Sequence, residues 1–187
     1  NVLCGRIKFI VRRNKMKRIW ITGSSGSGKT TLANSLGDKL NIPVYHRDQI
    51  SWKENWQVSS EKEQIELIKE ISVKDKWIFD GNRFTASKKD GRLNNCDTII
   101  HINFNRFLCL YRGVKRYFKH KNKARADLAP GCDEEFDMNV VKFILFDYPK
   151  KKFKRQKLFK EAEELGKRVI MLNGKIDYNE WCNRIGL

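Results

Sequence analysis

Residues 21–36 read ITGSSGSGKTTLANSL, with Gly23, Gly28, Lys29 and Thr30 at the spacing Gly-x4-Gly-Lys-Thr. Each residue type has a task in a loop that wraps an anion. Gly23, Gly26 and Gly28 permit positive φ and a close approach of backbone to ligand. The amides from Ser25 to Thr30 can then converge on one phosphate, aided by the N-terminal end of the following helix. Lys29 reaches the β- and γ-oxygens of a triphosphate, and the Thr30 hydroxyl ligates Mg2+. The expected phosphate-binding set is therefore Gly23, Ser24, Ser25, Gly26, Ser27, Gly28, Lys29, Thr30 and Thr31. The Lys29 side chain is expected to be exposed in the loop without ligand.

Further candidates lie downstream. Asp80 ends the run Trp-Ile-Phe-Asp-Gly. An acid at the carboxyl edge of a parallel strand beside the phosphate loop can orient Mg2+ through its water. An ordinary Asp-Gly turn is the other reading. Arg83, three residues on, suits an anionic acceptor or a γ-phosphate as well as it suits a surface position. Asp48 in YHRDQI can take a hydroxyl proton, bind a sugar hydroxyl or cap a helix. Arg112 and Arg116 are four apart and share a helix face. Two guanidiniums there can neutralise charge on a transferred phosphoryl group, or they can form a solvated basic face. Phe107, Leu110, Tyr111, Val114 and Tyr117 are expected to bury the other faces of that helix. Arg125 is a further candidate, and Trp52 and Trp56 read as packing residues beside the acceptor. His46, His101 and His120 have no ligand spacing, and His101, inside an apolar run, reads as a core residue.

Positioning these residues requires alternating strands and helices. RIWIT (18–22) is apolar and β-branched, and Leu32, Leu36 and Leu40 repeat at helical spacing behind the glycine loop. Further strands are expected at 42–46, with Pro43 at its start, and at 76–82, 97–104 and 167–172. A helix capped by Ser59 or Ser60 carries Ile65, Ile68 and Ile71 on one face. Gly166 stops a basic helix before the last strand. YNEWCNRIG closes the chain as a helix. The pattern predicts an α/β fold with a parallel sheet wrapped by helices. The long segment 105–165, polar in its middle, is where a helical lid belongs, at about 118–134.

With 187 residues the chain suits one α/β domain. It has no apolar run near the roughly 18 residues of a membrane span. Met16-Lys17-Arg18 precedes the first strand, so residues 16–187 read as the domain and 1–15 as an extension or cloning remnant. Five cysteines without Cys-x-x-Cys spacing argue against a zinc cage or disulfide framework and for reduced thiols in a cytoplasmic protein. The net charge of +17 includes seven positive residues before the first strand and the block PKKKFKRQKLFK (149–160). Such charge favours polyanions, although a solvated lysine-rich face accounts for it equally.

From Lys17 to about Leu172 the chain resembles the FlaR-like DNA topology modulation proteins, a branch of the adenylate-kinase-like P-loop kinases. The resemblance rests on GSSGSGKTTLA, the acid after strand two with Trp52 and Trp56, WIFDGN, FNRFLCLYRGVKRY, KARADLAPGCDEEFD and KFILFD. It implies a three-layer P-loop NTPase fold with a five-stranded parallel sheet, order 2-3-1-4-5, and a helical lid insertion. It implies ATP and Mg2+ as cofactors. FDGNRF is similar to the Asp-Gly-Phe-Pro-Arg turn of adenylate kinases, which gives Asp80 and Arg83 metal-organising and phosphate-contacting roles. Arg112 and Arg116 are similar to the arginine pair leading into the adenylate kinase lid. HRDQISWKENW departs from the AMP-binding pattern, and Asp48 looks more like the hydroxyl-binding acid of shikimate- or gluconate-type kinases. The implied activity is transfer of the γ-phosphoryl group of ATP to a small acceptor bearing a hydroxyl or phosphate, such as a nucleoside or nucleotide. The other readings are a nucleotide-dependent regulatory protein that binds nucleic acid through its basic surface, and a bare NTPase. No DNA-reading module such as a helix-turn-helix is evident.

Overall fold

Apolar residues fill the central strands on both faces, as a parallel sheet covered by helices requires. In β1 (Arg18–Gly23), Ile19, Trp20 and Ile21 are fully buried. The computed structural model describes residues 16–52, 57–120 and 137–187. The N-terminal extension, Trp56, Arg125 and lid residues 121–134 lie outside the described residues.

Five parallel strands form one sheet: β1, β2 (Val44–His46), β3 (Trp77–Asp80), β4 (Thr98–Asn103) and β5 (Arg168–Asn173). Their order is β2-β3-β1-β4-β5, as expected. Successive side chains point to opposite faces, so the strands feed two cores. Ile19, Ile21, Ile78, Ile100 and Ile102 pack with Leu32 and Leu36 of α1 (Lys29–Leu40) and with Cys182 of α9 (Gly174–Ile185). On the other face, Trp20, Trp77, Phe79 and Ile99 meet Ile68 and Ile71 of α3 (Glu61–Ser72) and Leu158 and Phe159 of α8 (Lys152–Glu164). The result is three layers.

Local signals place the boundaries. Ser60 accepts from the Glu63 amide while the Glu63 carboxylate accepts from the Ser60 amide, a reciprocal capping box that starts α3. The second strand begins at Val44 rather than Ile42, although the Pro43 carbonyl still accepts from the Ile78 amide at 2.9 Å. The short helices α2 (Arg47–Ser51) and α4 (Arg92–Asn95) have no apolar period in the sequence to announce them. The closing helix starts at Gly174, four residues before Tyr178.

The long segment between β4 and β5 is helical where described. It comprises α5 (Arg106–His120), α6 (Met138–Lys142), a π-turn over Phe143–Asp147, α7 (Tyr148–Lys150) and α8. Phe107 and Tyr111 are exposed, contrary to the expected burial. The core takes the face of α5 that carries Cys109, and Gly113 lies beside Ile144. Among the described residues no helix is long and apolar enough to cross a membrane.

Candidate active site

At the carboxyl edge of β1 the chain enters the glycine loop. Gly26 and Gly28 have φ of 75° and 90°, a region that non-glycine residues occupy at a cost. A Cβ on Gly26 would collide with the Cys109 carbonyl, because α5 rests directly on the loop. Gly28 stands at the N-terminal end of α1, whose first turn has no side-chain cap. Asn82 ties down the start of the loop: its Oδ1 accepts from the Gly23 amide at 3.0 Å and its Nδ2 donates to the Gly23 carbonyl at 2.8 Å. The Ser24 and Ser27 hydroxyls are buried without a hydrogen-bond partner. Lys29 is half-buried rather than exposed, since its ammonium folds back to donate to the Ser24 carbonyl at 2.9 Å. That contact gives the ammonium a partner within the loop. Ser25, Gly26, Ser27, Gly28, Lys29, Thr30 and Thr31 all line one cavity of about 1300 Å3; Gly23 and Ser24 sit behind it.

The parallel register sets Ile21 beside Asp80 and His46 beside Asp80, so three strand ends converge there. Asp80 is 7% exposed. Its Oδ2 accepts from the Thr30 hydroxyl at 2.7 Å and meets His46 Nδ1 at 3.2 Å. Burial alone would raise the Asp80 pKa, but the His46 hydrogen bond, the Lys29 charge and the Thr30 hydrogen bond outweigh it and hold the carboxyl below its ordinary value. Asp80 is therefore ionised at neutral pH, and its Oδ1 is buried without a partner. Among the described residues no group of three or more His, Cys, Asp or Glu could hold a metal alone. One ionised carboxylate and one hydroxyl beside a phosphate loop nonetheless fit Mg2+, which keeps several waters and shares its oxygen ligands with substrate phosphates.

On the other side of β3, Arg83 has φ of 35°. Its guanidinium meets Glu61 at 2.9 Å and donates to Gln64, both on α3. Arg83 lines the cavity but is already engaged. Its backbone is held by Arg92, which donates to the carbonyls of Arg83 at 3.1 Å and Asn82 at 3.4 Å. Arg92 and its partner Asp90 are both buried and paired at 2.7 Å. Asp48, on α2, lines the same cavity with its side chain 57% exposed and 3.8 Å from Arg47.

Arg112 and Arg116 also line the cavity, and the Arg112 guanidinium lies 4.9 Å from the Phe104 ring. The basic block adds Lys151, Lys154 and Arg155. Arg155 is 6% exposed and stacks 3.9 Å from the Tyr148 ring. The structure thus brings Lys29, Thr30, Asp80, Asp48, Arg83, Arg112 and Arg116 to one cavity. Asp38, Asp48 and Asp80 are its acids among the described residues, and Lys and Arg outnumber them.

Sequence reasoning missed His46, Asn82, Arg155 and the Asp90–Arg92 pair. Asn82, adjacent to Asp80-Gly81, carried a local signal. His46 did not, because its partner Asp80 lies on another strand, and local spacing does not say that Arg155 or the Asp90–Arg92 pair folds inward. His101, by contrast, is the expected core residue: it is 2% exposed and meets the Thr22 hydroxyl at 2.9 Å.

No protein-family model matches the chain, and no curated protein sequence matches it significantly. Among solved structures it is similar to the shikimate kinase from Acinetobacter baumannii in complex with shikimate. The TM-score is 0.55 at 13% sequence identity, covering 92% of this chain and 94% of that one. The fold is the P-loop NTPase fold. The same five-stranded order and the glycine loop between β1 and α1 agree with it.

Proposed function

We propose that this chain is an ATP-dependent phosphotransferase of the cytoplasm that acts on a small acceptor carrying a hydroxyl and an anionic group. The observation that carries this reading is the shared cavity, in which the phosphate loop, the Thr30–Asp80 pair, Asp48 and the arginines of α5 face one space. A bare NTPase has no use for the acceptor side of that space. The resemblance to FlaR-like kinases and the shikimate-bound neighbour favour a small-molecule acceptor. A nucleoside, a nucleotide or a sugar acid meets the chemical demand.

The loop amides and Lys29 hold the triphosphate, and the Ser27 hydroxyl, which lines the cavity without a partner, donates to its oxygens. Thr30 and Asp80 would hold Mg2+, which, when bound, neutralises charge on the β- and γ-oxygens. Asp48 accepts the proton of an attacking hydroxyl, or holds a ribose where a phosphate oxygen attacks. Arg112 and Arg116 stabilise charge on the transferring group. Arg83 receives the acceptor's anion in exchange for Glu61.

An acceptor screen that follows ADP release tests the reading, with shikimate, nucleosides, nucleotides and sugar acids as acceptors and Lys29→Ala as blank. A true acceptor raises turnover above basal ATPase; Asp48→Asn then lowers kcat, and Arg83→Ala raises KM. If every acceptor leaves ADP release at the basal rate, the reading fails. A regulatory protein that binds nucleic acid and acts on DNA topology would take its place, a reading favoured by the exposed lysines 151, 152, 154 and 157 on and before α8. Its mark would be DNA binding that weakens steeply with salt.

A further inference from the structure

The register of β2 on β3 pairs His46 with Asp80, and the imidazole is nearly as enclosed as the carboxylate, at 11% and 8% side-chain exposure. An ionised carboxylate only accepts hydrogen bonds, so the contact sets the tautomer: His46 Nδ1 carries the proton and donates. The Thr30 hydroxyl donates to the same oxygen, Oδ2. Two donors on one oxygen fix the rotation of the carboxylate and leave Oδ1 buried and unpartnered. An acceptor left in that state is costly unless a ligand uses it. Thr30, with its hydroxyl hydrogen turned to Asp80, keeps its lone pairs for a ligand.

We propose that His46 is a positioning residue that locks the Asp80 carboxylate so that Oδ1 and the Thr30 oxygen are both presented to nucleotide-bound Mg2+. It acts through Asp80, whose Oδ2 it meets at 3.2 Å. Thr30 alone cannot fix the carboxylate, because its hydroxyl turns with its own side chain. The imidazole comes from a different strand and anchors the carboxylate to the sheet. This inference rests on the loop being a Mg2+–nucleotide site, as proposed above, and requires no knowledge of the acceptor.

The test is calorimetric binding of a non-hydrolysable ATP analogue to the full chain, with Mg2+ and with EDTA. Thermal melting confirms that each variant is folded. The wild type should bind more tightly with Mg2+. Groups that hydrogen-bond to a metal ligand are typically worth about 10–100-fold in metal affinity. His46→Ala and His46→Gln should therefore lower the Mg2+-dependent gain by about tenfold or more and leave binding in EDTA unchanged. His46→Asn, whose amide nitrogen takes the place of Nδ1, should restore the gain. Three results overturn the proposal: all three variants matching the wild type, His46→Asn failing like His46→Ala, or binding falling equally with and without Mg2+. Wild-type binding without any Mg2+ gain removes the metal role of Asp80 and this proposal, but leaves the nucleotide site standing. No analogue binding at all removes the nucleotide site itself.

Discussion

Removing the Asp90 carboxylate should be among the most damaging single changes in this chain, although Asp90 does not line the cavity. Asp90 and Arg92 are 0% and 1% exposed. They form a bidentate pair, with Nε to Oδ1 at 3.0 Å and a terminal nitrogen to Oδ2 at 2.7 Å. The Arg92 guanidinium also lies 4.9 Å from the Trp20 ring and 4.6 Å from the Phe79 ring. Burial draws its pKa down, opposed by Asp90. Asp90→Ala leaves that guanidinium buried without its counter-charge, which costs about 3–5 kcal/mol. A domain of this size has about 5–15 kcal/mol in total, so roughly a fifth or more of its stability goes. Arg92→Met should cost a similar amount, since it leaves the Asp90 charge without its counter-charge and the Asn82 carbonyl without its donor, while the Arg83 carbonyl keeps the Ala86 amide at 3.3 Å. The double variant Asp90→Ala, Arg92→Met removes both charges and should recover much of the loss, less about 1–3 kcal/mol for an unsatisfied carbonyl. Urea unfolding of the four proteins closes a double-mutant cycle. A loss below about 1 kcal/mol for Asp90→Ala, the range of an exposed pair, would refute the reasoning. The single variants should also weaken nucleotide binding, because Asn82, whose carbonyl Arg92 holds, clamps Gly23.

Two further outcomes follow from individual positions. Gly26→Ala should weaken nucleotide binding by at least tenfold in a calorimetric titration, since its Cβ meets the Cys109 carbonyl at a φ of 75°; unchanged affinity would mean that α5 does not rest on the loop. Burial, with the charges of Arg155 and Lys29, pulls the His101 pKa down from 6.5 to about 3. The unfolded chain therefore binds the proton that the folded chain refuses, and stability falls as pH drops from 6.5 toward 3. At pH 5 the loss is about 2 kcal/mol relative to pH 7. Urea unfolding of His101→Asn at both pH values should lack that part of the slope, and an identical slope would contradict it.

Much of the architecture was legible because it repeats locally. Apolar strands, a Leu32–Leu36–Leu40 stripe and a serine cap are properties of a few consecutive residues, and each appeared within a few positions of its expected place. The glycine loop was legible for the same reason: its function is carried by backbone amides, so the pattern of side chains that permit the shape is the whole signal. The side chains of α5 were misjudged, because an amphipathic period says which residues share a face but not which face the rest of the protein covers. Phe107 and Tyr111 are exposed where burial was expected, and the face with Cys109 lies on the phosphate loop.

The sequence by itself determined the glycine loop between β1 and α1 and the alternation of strands and helices, since these depend on short-range spacing and on conformations that only certain residues allow. Tertiary structure alone decided how the residues around Asp80 are wired. The parallel register placed His46 on the carboxylate of Asp80, 34 positions away, and the pairing of β1 alongside β3 placed Asn82 on Gly23. Folding of the basic segment turned Arg155 inward against Tyr148 while its lysine neighbours stayed outside. Arg83, a candidate for meeting an anion, instead meets Glu61 and Gln64. A charged side chain takes whichever partner the packed chain brings within reach, and nothing in local spacing says which partner that will be.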